Sequence, residues 1–137
     1  SIAGVNGIIS ERTHAYKMPA DKYHDLLERS LQKKPSIFMS HDTPAIPALY
    51  PNGERYIGNI DIYEIINKHK PFVHFYGHCH HPTFHNEING VNYVNLDARV
   101  LIFVMPGQID GLFKTELQEQ YSPNALKLTA YGDPADV

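Results

Sequence analysis

Tryptophan is missing from the chain and cysteine occurs once, as Cys79. A single thiol excludes an internal disulfide and fits a reducing compartment, so a cytoplasmic location is expected. No apolar run approaches the roughly 20 residues that a membrane-spanning helix needs, and no signal-peptide pattern opens the chain. Lys and Arg number 12 against 15 Asp and Glu, a net charge of −3 with His neutral. The basic excess of a duplex-binding surface is therefore absent, and nucleic acid is not indicated by charge. There is no Gly-rich phosphate loop, no Gly-x-Ser-x-Gly elbow and no Cys–His pair set for nucleophilic catalysis. Internal repeats and low-complexity stretches are also lacking.

What is present is ordinary for a globular chain: 137 residues, 42% hydrophobic and 20% charged, the size of one domain. The first residue is Ser1 rather than Met, which reads as a processed chain or a fragment. Nine histidines stand out. Imidazole is the commonest side-chain metal ligand near neutral pH, and Gly77-His78-Cys79-His80 follows directly on the apolar run 72–76. On an extended backbone, residues i and i+2 point the same way, so His78 and His80 are expected to converge while Cys79 turns aside. Gly77 is expected to let the chain turn as it leaves the strand. With nine histidines, a chance pair at this spacing is not rare. A second strand-end histidine, His41, strengthens the pattern, because it follows the apolar run 36–39. In open α/β sheets ligands bind beyond the carboxyl ends of the strands, which is where all three would lie.

The rest of the chain supplies such a sheet. Residues 2–9 read as a strand and 10–19 as a loop. A helix is expected over 20–34, with Tyr23, Leu26, Leu27 and Leu31 on one face and Pro35 as its stop. A strand over 37–39 leads into a long connection, 42–58, with three prolines and an Asn52-Gly53 turn signal. Asn59 suits the N-cap of a helix presenting Ile62, Ile65, Ile66 and His69, ended by Pro71. Residues 72–76 form the next strand, and 83–88 and 91–96 form a hairpin around Asn89-Gly90. The continuous apolar run 100–105 reads as a central strand, and 114–137 as a weakly structured tail. This alternation predicts an α/β (α+β) fold with a mixed sheet.

Gly77-His78-Cys79-His80-His81-Pro82 resembles the last signature of the calcineurin-like metallophosphoesterases, Gly-His-x-His. Ser40-His41-Asp42-Thr43-Pro44 resembles the single-His motif that precedes it there, and the hairpin leading into Tyr93-Val94-Asn95-Leu96 resembles that family's order of elements. The resemblance runs over residues 2–113. It implies half of a four-layer α/β/β/α sandwich, two sheets face to face with helices outside. It also implies phosphoester hydrolysis, as a phosphatase or phosphodiesterase, by two divalent ions (Mn, Fe or Zn) at the strand ends. His41 and His78 would bind one ion and His80 the other. Two ions about 3.5–4 Å apart clamp a phosphoryl group and supply hydroxide near neutral pH.

Three earlier motifs of that family, Asp-x-His, Gly-Asp-x-x-Asp and Gly-Asn-His-Asp/Glu, do not occur. With them go the bridging Asp, further ligands and the His thought to protonate the leaving group, so no catalytic residue is assigned. The chain reads as the C-terminal half of such a domain, completed by an N-terminal half or a second chain and acting on a phosphate ester. The alternative is an inactive binding module on the same frame. A third reading is a closed zinc site of His41, His78 and His80 with His81 or Asp42, although structural zinc sites are more often Cys-rich.

Other residues carry two readings each. Asp42 can orient a ligating imidazole or cap the turn before Pro44. His81 can orient a ligand or touch substrate, or be a surface histidine. Arg55, with Tyr50 and Tyr56 in the Pro-rich connection, suits bidentate phosphate contact as part of a lid, or is a solvated charge. His14, His24, His69, His74 and His85 are expected to be structural.

Overall fold

The computed structural model describes residues 1–12 and 14–97; the expected strand 100–105 and tail 114–137 lie outside them. Strand and helix alternate because the apolar period alternates. The strands of the main sheet are β1 (Ile2–Val5), β4 (Ile37–Ser40), β5 (Val73–Tyr76), β6 (His85–Ile88) and β7 (Val91–Asn95). Their spatial order is β1-β4-β5-β7-β6, parallel except for the antiparallel β6–β7 pair. This is a mixed α/β sheet with an antiparallel hairpin at one edge.

Helix α1 (Ala20–Leu31) joins β1 to β4 by way of a small second sheet, and α2 (Ile60–His69) joins β4 to β5. Tyr23, Leu27 and Leu31 of α1 and Ile62 and Ile66 of α2 are buried, as the 3.6-residue period demands. They share one core cluster with Phe38, Tyr76 and Tyr93 of the sheet. Glu28 ties the helices together: its carboxylate accepts from Lys68 Nζ at 2.9 Å and meets His69 Nε2 at 2.5 Å. These two partners hold the Glu28 carboxyl below the usual carboxylate range.

The opposite sheet face is apolar as well. Val73, Phe75 and Val94 form a second buried cluster with Phe84, with Ile37 and Leu96 packed against it. Toward the β1 edge, Ile2 and Met39 on that face remain 68% and 48% exposed.

Three details differ from the sequence expectation, and a fourth adds to it. The strand over 2–9 breaks after Val5, because Gly7 adopts φ +96° with the Tyr16 carbonyl 2.9 Å from where a Cβ would sit. The expected loop 10–19 contains β3 (Lys17–Met18), which pairs in parallel with β2 (Ile8–Ile9). Helix α1 ends at Leu31 rather than residue 34, because Pro35 disfavours the helical region for Lys34, which takes φ +50°. The long connection is anchored: Ala45 N–H donates to the Asn59 carbonyl and Asn59 N–H to the Thr43 carbonyl, both at 2.8 Å, with a 3₁₀ turn at Pro47–Leu49 between. Asn59 does cap α2, its side chain accepting from Ile62 N–H at 3.1 Å. Asn89 and Gly90 both have positive φ, as a two-residue hairpin turn requires. No helix among the described residues is long and apolar enough to cross a membrane.

Candidate metal centre

Register brings two of the three histidines together. Ser40 pairs with Tyr76 across β4 and β5, so the residues that follow leave the sheet side by side, and Gly77 N–H donates to the His41 carbonyl at 3.3 Å. The His41 and His78 rings lie 5.4 Å apart, centroid to centroid. An ion about 2.0–2.1 Å from a nitrogen of each ring would stand roughly 3.2 Å from each centroid, placing the centroids about 4.5–5.3 Å apart for octahedral to tetrahedral angles. The observed separation is close to that range. His41 and His78 line a groove of ≈ 570 Å³ with Asn6 and Asp97, walled on the apolar side by Met39 and Phe75.

The backbone that places His78 is not extended. His78 takes φ +67°, and Cys79 N–H donates to the Gly77 carbonyl at 2.8 Å. This is a γ-turn with a positive central φ, a rare and strained form. Gly77, expected to be the turning residue, is not in the left-handed region, and an added Cβ there would meet only the His41 carbonyl at 3.9 Å. Thr43 secures the turn. Its buried hydroxyl donates to the Gly77 carbonyl and accepts from Cys79 N–H at 3.0 Å. Because the chain turns at His78, the two-residue alternation does not apply, and His78 and His80 part company. His80 is 59% exposed and its Nδ1 contacts the Asp97 carboxylate. Among the described residues, no three His, Cys, Asp or Glu side chains gather at metal-ligand spacing. His41 and His78 stand as a pair of neighbouring imidazoles beyond the strand ends.

The secondary candidates resolve as follows. Asp42 serves the backbone: Oδ2 accepts from Ile9 N–H and Oδ1 from Thr43 N–H, each at 2.9 Å. It fastens the small second sheet to the strand-end loop, which is its capping reading. His81 is neither a surface residue nor part of the groove. It is buried, with Tyr76 O–H donating to Nδ1 at 2.8 Å and Nε2 donating to the Ile57 carbonyl at 3.1 Å. Burial pushes its pKa down, so it stays a neutral pin between β5 and the long connection. Arg55 is exposed in that connection and does not line the groove. Cys79 is a half-buried free thiol.

His74 is fully buried beneath the strand ends. Its Nε2 bonds to Ser40 Oγ at 2.8 Å, and Ser40 Oγ in turn donates to the Asp42 carbonyl at 2.8 Å. Burial alone pushes its pKa down to about 3, so it is a neutral support for the residue next to His41. His85 is likewise buried and bonds to Asn92 Oδ1 at 3.0 Å. The sequence reading missed Asp97 and stopped at Leu96. The one available signal was the Asn95-Leu96-Asp97 spacing, in which Asn95 Oδ1 accepts from Asp97 N–H at 2.9 Å, a turn Asn favours.

No protein-family model matches the chain, and no curated protein matches it by sequence. Among solved structures it is similar to TT1561 of Thermus thermophilus, with a TM-score of 0.51 and 22% sequence identity over 70% of this chain. The chain spans 43% of that protein's length. At this identity the likeness concerns the fold.

Proposed function

We propose that the chain is the C-terminal part of a metal-dependent phosphoester hydrolase of the calcineurin-like type. The observation that carries the reading is the His41–His78 pair, 5.4 Å apart beyond the ends of two adjacent parallel strands. His41 and His78 would each give one ring nitrogen to a divalent ion (Mn, Fe or Zn), and His80 would serve a second ion. Bound there, such ions polarise a phosphoryl oxygen and lower the pKa of bound water. The chain's own residues would hold those nitrogens in place: Thr43 braces the His78 turn, and His74 with Ser40 supports the His41 strand end. The groove, with Asn6 and Asp97 at its polar rim, admits a small phosphate ester, its apolar group lying along Met39 and Phe75. Arg55 and His81 are not part of this reading.

The remaining ligands and the proton donor would come from an N-terminal half or a second chain. The exposed Ile2 and Met39, on the sheet face that neither α1 nor α2 covers, suit such a neighbour, as in the two-sheet sandwich. The setting we propose is cytoplasmic, on the single thiol. Native mass spectrometry tests the reading directly. With Mn(II) or Zn(II) present, the wild-type chain should carry a divalent ion that His41→Ala and His78→Ala each lose, and metal-dependent hydrolysis of p-nitrophenyl phosphate or its bis ester by the completed assembly should vanish in both. Full hydrolysis in either variant would sink the reading. Metal binding without hydrolysis in any assembly would favour the alternative, a binding module on this frame.

A further inference from the structure

We infer that Asp97 is a positioning residue that holds the His80 imidazole with Nδ1 protonated and Nε2 turned outward as the metal-facing donor; this rests on the reading of His80 as a ligand. A carboxylate can only accept, so the contact between Asp97 Oδ2 and His80 Nδ1 places the ring proton on Nδ1 and leaves the Nε2 lone pair for ligation. A ligating histidine commonly donates its other ring N–H to a carboxylate, which sets tautomer and ring orientation together.

The placement of Asp97 is built rather than incidental. Asn95, fully buried at the end of β7, accepts from Asp97 N–H through Oδ1 at 2.9 Å and donates through Nδ2 to the Cys79 carbonyl at 2.7 Å. One buried side chain thus clamps the backbone of the residue before His80 and the backbone of the residue that grips its ring. Leu96 between them donates its N–H to the Tyr76 carbonyl at 2.7 Å, which locks this corner to the sheet. Asp97 also lines the groove shared by His41 and His78, so the carboxylate that grips the His80 ring borders that groove, although His80 itself does not line it. An exposed ion pair with no such backing would need no buried asparagine.

The test compares wild type, Asp97→Ala, Asp97→Glu and His80→Ala in the 137-residue chain. Long-range ¹H–¹⁵N spectra of the metal-free protein at about pH 8, above the ordinary His pKa, report the His80 tautomer. Optical titration with Co(II) reports metal affinity independently of any hydrolysis. The wild-type ring is expected to be in the Nδ1–H form, and D97A to move it toward the other tautomer. D97A should lower affinity about 10–100-fold for the Co(II) ion that His80→Ala removes and leave the ion at His41 and His78 in place, D97E should recover part of the loss, and D97A in the His80→Ala background should cost nothing further. An unchanged tautomer in D97A, or a changed tautomer with Co(II) affinity within about twofold of wild type against the expected loss, overturns the positioning role while leaving the metal site standing. A wild-type chain that binds no Co(II) overturns the metal reading and this role with it.

Discussion

Replacing His78 by alanine and by glycine tests the turn that builds the site. Both changes delete the imidazole equally, so the difference between the two variants reads the backbone alone. At an ordinary position alanine is the more stable by about 0.5–1 kcal/mol, because glycine loses more conformational freedom on folding. His78 sits at φ +67°, where the Cβ of an L-residue crowds the following carbonyl at a cost of roughly 1–2 kcal/mol. The steric cost exceeds the entropic one, so the usual order should invert, with H78G more stable than H78A by about 1 kcal/mol. In urea, where the slope for a small domain is about 1–3 kcal/mol/M, the H78G midpoint should lie roughly 0.3–1 M above that of H78A.

Circular dichroism against urea concentration, with the slopes checked for equality, is sufficient. Gly77→Ala is the internal control. Gly77 is outside the left-handed region and its added methyl meets an ordinary 3.9 Å contact, so this variant should follow the usual order and be at least as stable as wild type. Equal midpoints for H78A and H78G, or a higher one for alanine, would refute the reasoning. His78 would then not be left-handed in solution, and its approach to His41 would need another cause. Strain of this kind at a proposed ligand position fits the general tendency of unfavourable backbone geometry to persist where surrounding contacts over-determine it.

Thr43→Val keeps the shape of the side chain but removes the hydroxyl bonds to Gly77 and Cys79; it should cost about 1 kcal/mol in urea unfolding and weaken metal binding, and unchanged binding would discount Thr43 as the brace. His74 has a folded pKa of about 3, below its unfolded value, so the unfolded chain takes up this proton first as pH falls. Its effect is nil above about pH 6.5, and below that stability should drop by about 1.4 kcal/mol per pH unit toward pH 3. The difference between wild type and His74→Gln in acid titration should show that slope, and parallel curves would show the ring is accessible. His81→Ala should destabilise by about 2–3 kcal/mol, since it strips partners from the Tyr76 hydroxyl and the Ile57 carbonyl inside the protein. Metal binding per folded molecule should be unaffected, whereas parallel loss of both would make His81 part of the site after all.

The features legible in the sequence are those with local causes. Asn59 caps α2 because its own side chain reaches three residues ahead, and Asn89-Gly90 turns the hairpin because both residues tolerate positive φ. The buried stripe Tyr23, Leu27, Leu31 follows from helical spacing. The strand-end position of His41 and of the 77–80 tetrad could be read from the apolar runs before them. The illegible features have distant causes. His78 is left-handed because the Thr43 hydroxyl, distant in sequence, holds the carbonyl and amide on either side of it. His81 is buried because Tyr76, five residues back, and Ile57, 24 residues back, converge on its two nitrogens. Asp97 was passed over because a polar residue beyond a hairpin carries no periodic signal, and only the fold brings it to His80.

The two halves of the candidate site are therefore fixed by different physics. His41 and His78 face each other because β4 and β5 are adjacent and in register, an arrangement set by α2 burying Ile62 and Ile66 against the sheet. A change anywhere in that core acts on the pair through global stability. His80 sits beyond the strained turn, and its ring is held by Asp97, whose backbone is held by Asn95 at the end of β7. That half depends on a corner of side-chain hydrogen bonds that can change while the sheet remains folded. If two ions are bound, as proposed, the one at His41 and His78 has a preformed seat on the sheet edge. The one at His80 depends on the β7 corner, and its affinity can be tuned there with little effect on the core.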